Sequence, residues 1–171
     1  YQVVFSTHSA QLVPALDAQY ALLIRKEPND GTKLRRRLQD AIQTVVPDST
    51  HQMEQLFTLS NSSQILFANR VVLIEGKTEQ RLLPVLYQSV RGCTLGQEGT
   101  ALVAQSGAND TNKSMQILRA MDLPSKAVVD LDYSLNGAIT HGFISDSDSA
   151  IAALKAILKR LSDDGLITLG P

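Results

Sequence analysis

Val71-Val72-Leu73-Ile74-Glu75-Gly76-Lys77-Thr78-Glu79 sets the reading of the whole chain. Four consecutive branched aliphatic residues, with no polar alternation, read as a strand covered on both faces. The run ends in a carboxylate and a glycine, then passes into residues that suit a helix. Ala127-Val128-Val129-Asp130-Leu131-Asp132 repeats the pattern: an apolar strand, read over 126–132, ending in acid, with two Asp at i and i+2 on one face. Between them, 101–104 reads as a strand and 110–121 as a helix, and a helix follows Glu79 to about Arg91. With a periodic helix over 149–161 and a possible strand at 166–169, the order from residue 71 is β-α-β-α-β-loop-α-β. That order predicts an α/β fold, a mostly parallel sheet flanked by helices.

Two chemistries compete for the central segment. Gly76-Lys77-Thr78 matches the tail of a P-loop, but that loop needs a second glycine five positions earlier, where Val71 stands. A strand residue cannot wrap a phosphate, and Glu75 would repel one. The alternative takes Glu75 and Glu79 as metal ligands. Glu75 sits at the carboxyl end of a strand, where open α/β sheets build their sites, and Glu79 lies in the first helical turn. The bland counterpart is an exposed turn and a Glu favoured by the helix dipole. Asp130 and Asp132 shift the balance. If their strand neighbours that of Glu75, at a spacing of about 4.8 Å, several carboxylates meet at one sheet edge and require a positive charge among them. Hard oxygen donors favour Mg²⁺ or Mn²⁺ over zinc.

Composition removes other classes. The chain has 171 residues, 43% hydrophobic and 19% charged, with a formal net charge of −1. That is too apolar for a disordered segment and gives no global electrostatic case for nucleic acid. Cys93 is the single cysteine, so there is no disulfide framework, and a reducing cytoplasm is the expected compartment. No apolar run approaches the roughly 18 residues of a membrane span.

The N-terminal part reads differently. Val3-Val4-Phe5 looks like a buried strand ending in Ser6-Thr7-His8-Ser9, so the chain is expected to be a piece of a longer protein. A short helix over 12–17, a strand over 20–25, a turn at Pro28-Asn29-Asp30-Gly31 and a helix over 33–46 follow. Met53, Leu56 and Phe57 suggest more helix.

Strand-Glu-Gly-x-Thr-Glu, followed some fifty residues later by strand-Asp-x-Asp, resembles the Toprim domain of topoisomerases, primases and some nucleases. The form Glu75-Gly76-Lys77-Thr78-Glu79, with its lead-in Leu66-Phe67-Ala68-Asn69-Arg70, is similar to the OLD (overcoming lysogenization defect) endonucleases. In these an ABC-type ATPase domain precedes the Toprim domain. Val4-Phe5-Ser6-Thr7-His8-Ser9 resembles the ABC switch strand, whose histidine contacts the ATP γ-phosphate. The resemblance implies that residues 1–60 are the end of an ATPase domain with connecting helices, and that 61–171 are the Toprim catalytic domain, cut short or complete. It implies DNA phosphodiester hydrolysis at a two-metal site. Glu75 would be ligand or base, Asp130 and Asp132 ligands, Glu79 a ligand of the second metal, and His8 the nucleotide contact. A homodimer, a helicase partner in phage defence, and ATP as cofactor of the complete protein come with it.

The sequence departs from that pattern in two ways. It holds neither P-loop nor ABC signature, so this chain does not hydrolyse ATP alone. Family nucleases use a Lys beyond Asp-x-Asp, and Lys155 and Lys159 fit no such motif. A second family also fits in part: Asp130-Leu131-Asp132-Tyr133-Ser134 resembles the nucleophile motif of haloacid-dehalogenase-like phosphatases. There, however, the motif opens the domain, and Ser134 replaces the usual Thr. A non-catalytic regulatory domain is the third reading.

Other residues carry milder expectations. Arg35-Arg36-Arg37 reads as the solvated face of a helix, or as a phosphate contact. Leu82, Leu83, Leu86 and Val90 read as core, and Pro84 as a kink. Asp146 and Asp148 read as capping acids. Ser106-Gly107-Ala108-Asn109-Asp110 is either a phosphate cradle or a cap. His51, His141 and Cys93 read as structural.

Overall fold

The computed structural model describes residues 3–13, 17, 20–27, 29–45, 63–105 and 110–168. The chain forms two compact units, 1–129 and 130–171. The expected helix around Met53–Phe57, the Ser106–Asn109 segment and His51 lie outside the described residues.

The first unit is built on a parallel sheet of β3 (Arg70–Ile74), β4 (Thr100–Ala104) and β5 (Ser125–Val128), in the order β4-β3-β5. The centre is β3, the most apolar of the three, as a strand flanked on both sides must be. Ile74 stands opposite Ala104 on one side and Val128 on the other. Helix α3 (Lys77–Arg91) connects β3 to β4, and α4 (Thr111–Ala120) connects β4 to β5. The two crossovers run in opposite directions, so their common right-handedness assigns the helices to opposite faces.

One face carries the core. Val71, Leu73 and Val103 pack there with Met115, Ile117 and Leu118 of α4, and with Leu38, Ala41 and Ile42 of α1 (Leu38–Val45). Ile65 and Leu66 of α2 (Ser63–Phe67) close the same core. Residues N-terminal to 60 therefore share the interior of the sheet.

The N-terminal part departs from expectation in three places. Val3, Val4 and Phe5 are outside any strand and exposed, Val4 at 97%; an apolar run becomes a buried strand only where a partner supplies its hydrogen bonds, and none does among the described residues. The expected 20–25 strand is instead β1 (Ile24–Glu27), paired antiparallel with β2 (Gly31–Leu34). Gly31 turns the chain back at φ +76, and this draws Lys33 and Leu34 out of the expected helix, which starts only at Leu38. Residues 14–16 of the expected 12–17 helix lie outside the described residues, and a 3-10 turn at Ala10–Leu12 leads into that span.

Arginines fasten this hairpin to the sheet. Arg25 donates to Asn69 Oδ1 at 2.8 Å, to the Leu66 carbonyl at 3.0 Å and to the Ala68 carbonyl, covering the open end of α2. Burial and the nearby Arg35 lower its pKa. Arg35 pairs with Glu27, and with Asp122 at 3.3 Å, while Arg37 pairs with Asp40 at 2.9 Å. The arginine run is thus largely structural and precedes its helix.

Helix α3 passes through Pro84 without interruption. Its half-buried seam runs through Gln80, Leu83, Pro84 and Tyr87. Leu82, Leu86 and Val90 are 54%, 50% and 82% exposed, so only Leu83 of the four expected core residues turns inward.

In the second unit α5 (Leu131–Leu135), α6 (Gly137–Thr140) and α7 (Ser149–Asp163) follow one another. Asp148 caps α7, accepting from the Ala150 N–H at 2.8 Å, as expected. Asp146 pairs with Lys155 at 3.6 Å. Residues 166–168 form no strand. Among the described residues no helix is long and apolar enough to cross a membrane.

Candidate active site

Glu75 is the first residue beyond β3 and is half-buried. The chain then leaves the sheet through Gly76, the N-cap of α3. Gly76 donates its N–H to Glu79 Oε2 at 2.9 Å. Glu79 therefore completes half of a capping box, satisfying a backbone donor that the helix itself cannot. A carboxylate has two oxygens, and the other is not committed by this bond.

Strand β5 ends at Val128, earlier than the expected 126–132 span. Asp130 is the extended N-cap of α5, at φ −66 and ψ 159, and Asp132 lies in the first turn of that helix. The two acids are thus not alternate residues of one strand, as expected, but flank a strand-to-helix turn. The polar Ser134 and Asn136 and the small Gly137 favour a short helical segment over further strand. Tyr133 N–H is shared between the Asp130 carbonyl at 3.2 Å and Asp132 Oδ1 at 2.8 Å. The Tyr133 ring is buried, and burial raises the phenol pKa. Its hydroxyl and His141 Nδ1 share a hydrogen bond of 2.7 Å.

Glu75 and Glu79 belong to the first unit, Asp130 and Asp132 to the second. The donor set suits a hard divalent cation, being all carboxylate oxygen. Among the described residues, however, no three His, Cys, Asp or Glu side chains form a group able to hold a metal ion. His8 is exposed at the other end of the chain from these acids.

Beside Glu75, the end of β4 carries a polar network that sequence reading missed. Gln105 donates its N–H to the Ile74 carbonyl at 2.9 Å. Its side chain donates to Ser114 Oγ at 2.8 Å and accepts from Thr111 Oγ1 at 2.9 Å. Thr111 and Ser114 are buried, and their i, i+3 spacing on α4 was the available signal. The network fixes the start of α4 to the carboxyl edge of the sheet.

Residues 66–132, which span this edge from α2 to Asp132, match the family described as "Overcoming lysogenization defect protein-like, TOPRIM domain". The Old nuclease of Escherichia phage P2 is 36% identical over 140 residues, which cover 82% of this chain and 24% of that relative. The chain thus spans about a quarter of the relative's length. Sheet order, strand-ending Glu75 and the Asp130-x-Asp132 turn all fall inside the matched segment, and this protein belongs to the OLD family as a carrier of its Toprim domain.

Proposed function

We propose that this chain is the Toprim part of a metal-dependent DNA endonuclease that hydrolyses phosphodiester bonds and works with an ATPase domain. The observation that carries this reading is the parallel pairing of Ile74 with Val128. It sets the carboxyl ends of two strands side by side, and Glu75 follows one end while Asp130 and Asp132 follow the other. Similarity to a protein named a nuclease supports the same reading.

Mg²⁺ or Mn²⁺ on Glu75, Asp130 and Asp132, with Glu79 for a second ion, is part of the proposal. Such a set of like charges is costly by itself, and the charge of the cation offsets that cost. Residues 1–60 are proposed as the end of the ATPase domain, with His8 at the ATP γ-phosphate in the complete protein, and 61–171 as the catalytic domain. Packing of Leu38, Ala41 and Ile42 into the core of the sheet gives the two parts a common interior. A homodimer, a helicase partner and phage defence rest on the resemblance alone, and a cytoplasmic location rests on the single cysteine.

The test is nicking of supercoiled plasmid by the full-length protein with Mn²⁺, beside a chromogenic phosphate ester. Glu75→Gln is expected to reduce nicking by about 100-fold or more, the usual scale for a lost acid–base group. Ester turnover without nicking would favour the phosphatase reading through Asp130, and neither activity would favour a regulatory domain.

A further inference from the structure

We propose that His141 is a positioning residue for the Asp130-x-Asp132 turn, acting through the buried ring of Tyr133. Its role in cleavage rests on the nuclease reading above. Three contacts within the second unit carry the argument. The Tyr133 N–H is the single donor on which the Asp130 carbonyl and Asp132 Oδ1 converge, at 3.2 and 2.8 Å. The position of that N–H therefore bears on the backbone at Asp130 and on the carboxylate of Asp132. The Tyr133 ring is 7% exposed, and its hydroxyl is bonded to His141 Nδ1 at 2.7 Å, with ring centroids 5.8 Å apart. Finally, a Cβ at Gly137 would collide with the Tyr133 ring, so the chain between the two partners passes directly against it.

These contacts form a short lever. His141 is held by its own N–H on the Gly137 carbonyl at 2.9 Å, at the end of α6. The phenol is therefore anchored to a segment eight residues on, while its backbone N–H sits between the acids. A buried hydroxyl without a partner is costly, so loss of His141 would displace the ring or admit water beside it. Either movement is transmitted to the N–H and to the direction of the Asp132 carboxylate. A carboxylate that must face a cation or a phosphodiester is sensitive to such a rotation.

The substitutions separate this role from general stability. Tyr133→Phe removes the hydroxyl and keeps the ring. His141→Leu removes the partner, and His141→Asn restores an oxygen or nitrogen near Nδ1 for either direction of the bond. Two readouts in the full-length protein are needed. Amide hydrogen exchange at Tyr133 is expected to accelerate in Tyr133→Phe and His141→Leu and to recover in His141→Asn. Plasmid nicking is expected to lose about tenfold in kcat in the first two, in line with other partners of ligand residues. KM for DNA should be unchanged, activity should return in His141→Asn, and Tyr133→Phe/His141→Leu should be no worse than either single change. Unchanged exchange at Tyr133 in both disruptive variants overturns the proposal, whatever the nicking rate. The expected exchange pattern in a protein that never nicks DNA would remove the nuclease reading and leave the positioning role standing. Loss of exchange protection throughout the second unit, or no recovery in His141→Asn, would show mere destabilisation and also overturn it.

Discussion

Ile74 and Val128 lie opposite one another in parallel register, and that pairing links the two acid-bearing segments of the chain. Parallel strands share a carboxyl edge, so whatever follows each strand leaves the sheet from the same side. Glu75 is the next residue after Ile74, and Asp130 follows Val128 by two. A one-residue slip in this register would exchange the inward and outward faces of β5. Ala127 would then leave the side of the sheet on which Leu73 and Val103 are buried.

Divalent cation is expected to stabilise the fold. A cation at a hundred times its dissociation constant contributes about 2.7 kcal/mol by mass action. Thermal melting with and without Mg²⁺ or Mn²⁺ measures this. The gain should vanish in Glu75→Gln combined with Asp130→Asn. A wild-type melting temperature indifferent to millimolar cation would remove the metal from the proposed function.

Gly99 is expected to tolerate no side chain. Its φ is +65, and a Cβ there would lie 2.5 Å from Asn69 Nδ2. Gly99→Ala should cost about 1–2 kcal/mol from the left-handed backbone alone, and more from displacing Asn69, which also receives Arg25. Gly92→Ala is the control, because φ there is +71 but the space is open. Urea denaturation should find Gly99→Ala the less stable of the two; equal losses would mean that Asn69 yields freely.

Arg25→Met should destabilise by about 1–3 kcal/mol, since it leaves the Leu66 and Ala68 carbonyls without their donor. Arg25→Lys is expected to recover little, because a point charge cannot reproduce the guanidinium fork that reaches three acceptors. Recovery to wild-type stability by Lys would show that charge, and not geometry, holds the hairpin.

Glu98 accepts from Tyr87 at 2.6 Å and from the Cys93 thiol at 3.3 Å. These bonds hold its pKa below the ordinary carboxylate value and raise that of Cys93. For a depressed carboxylate the stabilisation is present above the unfolded pKa and lost as pH falls through the folded one. Melting temperature should therefore drop less steeply on acidification in Glu98→Gln than in wild type. A raised thiol pKa means less thiolate, so alkylation of Cys93 at mildly alkaline pH should be slow and should accelerate in Glu98→Gln. Identical alkylation rates would contradict the hydrogen bond.

Some of this molecule was decided by local sequence. Unbroken aliphatic runs at 71–74 and 101–103 had to be interior strands, because such runs cannot leave a polar face to water. Their alternation with helical segments left the parallel sheet as the economical solution. Glu75 at a strand end and Asp148 at a helix start could be placed from the residues alone, since a cap acts within one turn. Tertiary structure decided the rest. Leu82, Leu86 and Val90 have the same helical periodicity as Leu38 and Ile42, yet only the latter pair is buried, because periodicity defines a face and a neighbour determines whether it is covered. Val3–Phe5 has the composition of a strand and no ladder among the described residues. Asp132 was expected to lie beside Asp130 on a strand. It enters a helix instead, where the buried Tyr133 and its bond to His141 hold the turn. No local rule joins residues 133 and 141. The packing of a phenol ring against Gly137 does, and such contacts exist only once the chain has folded.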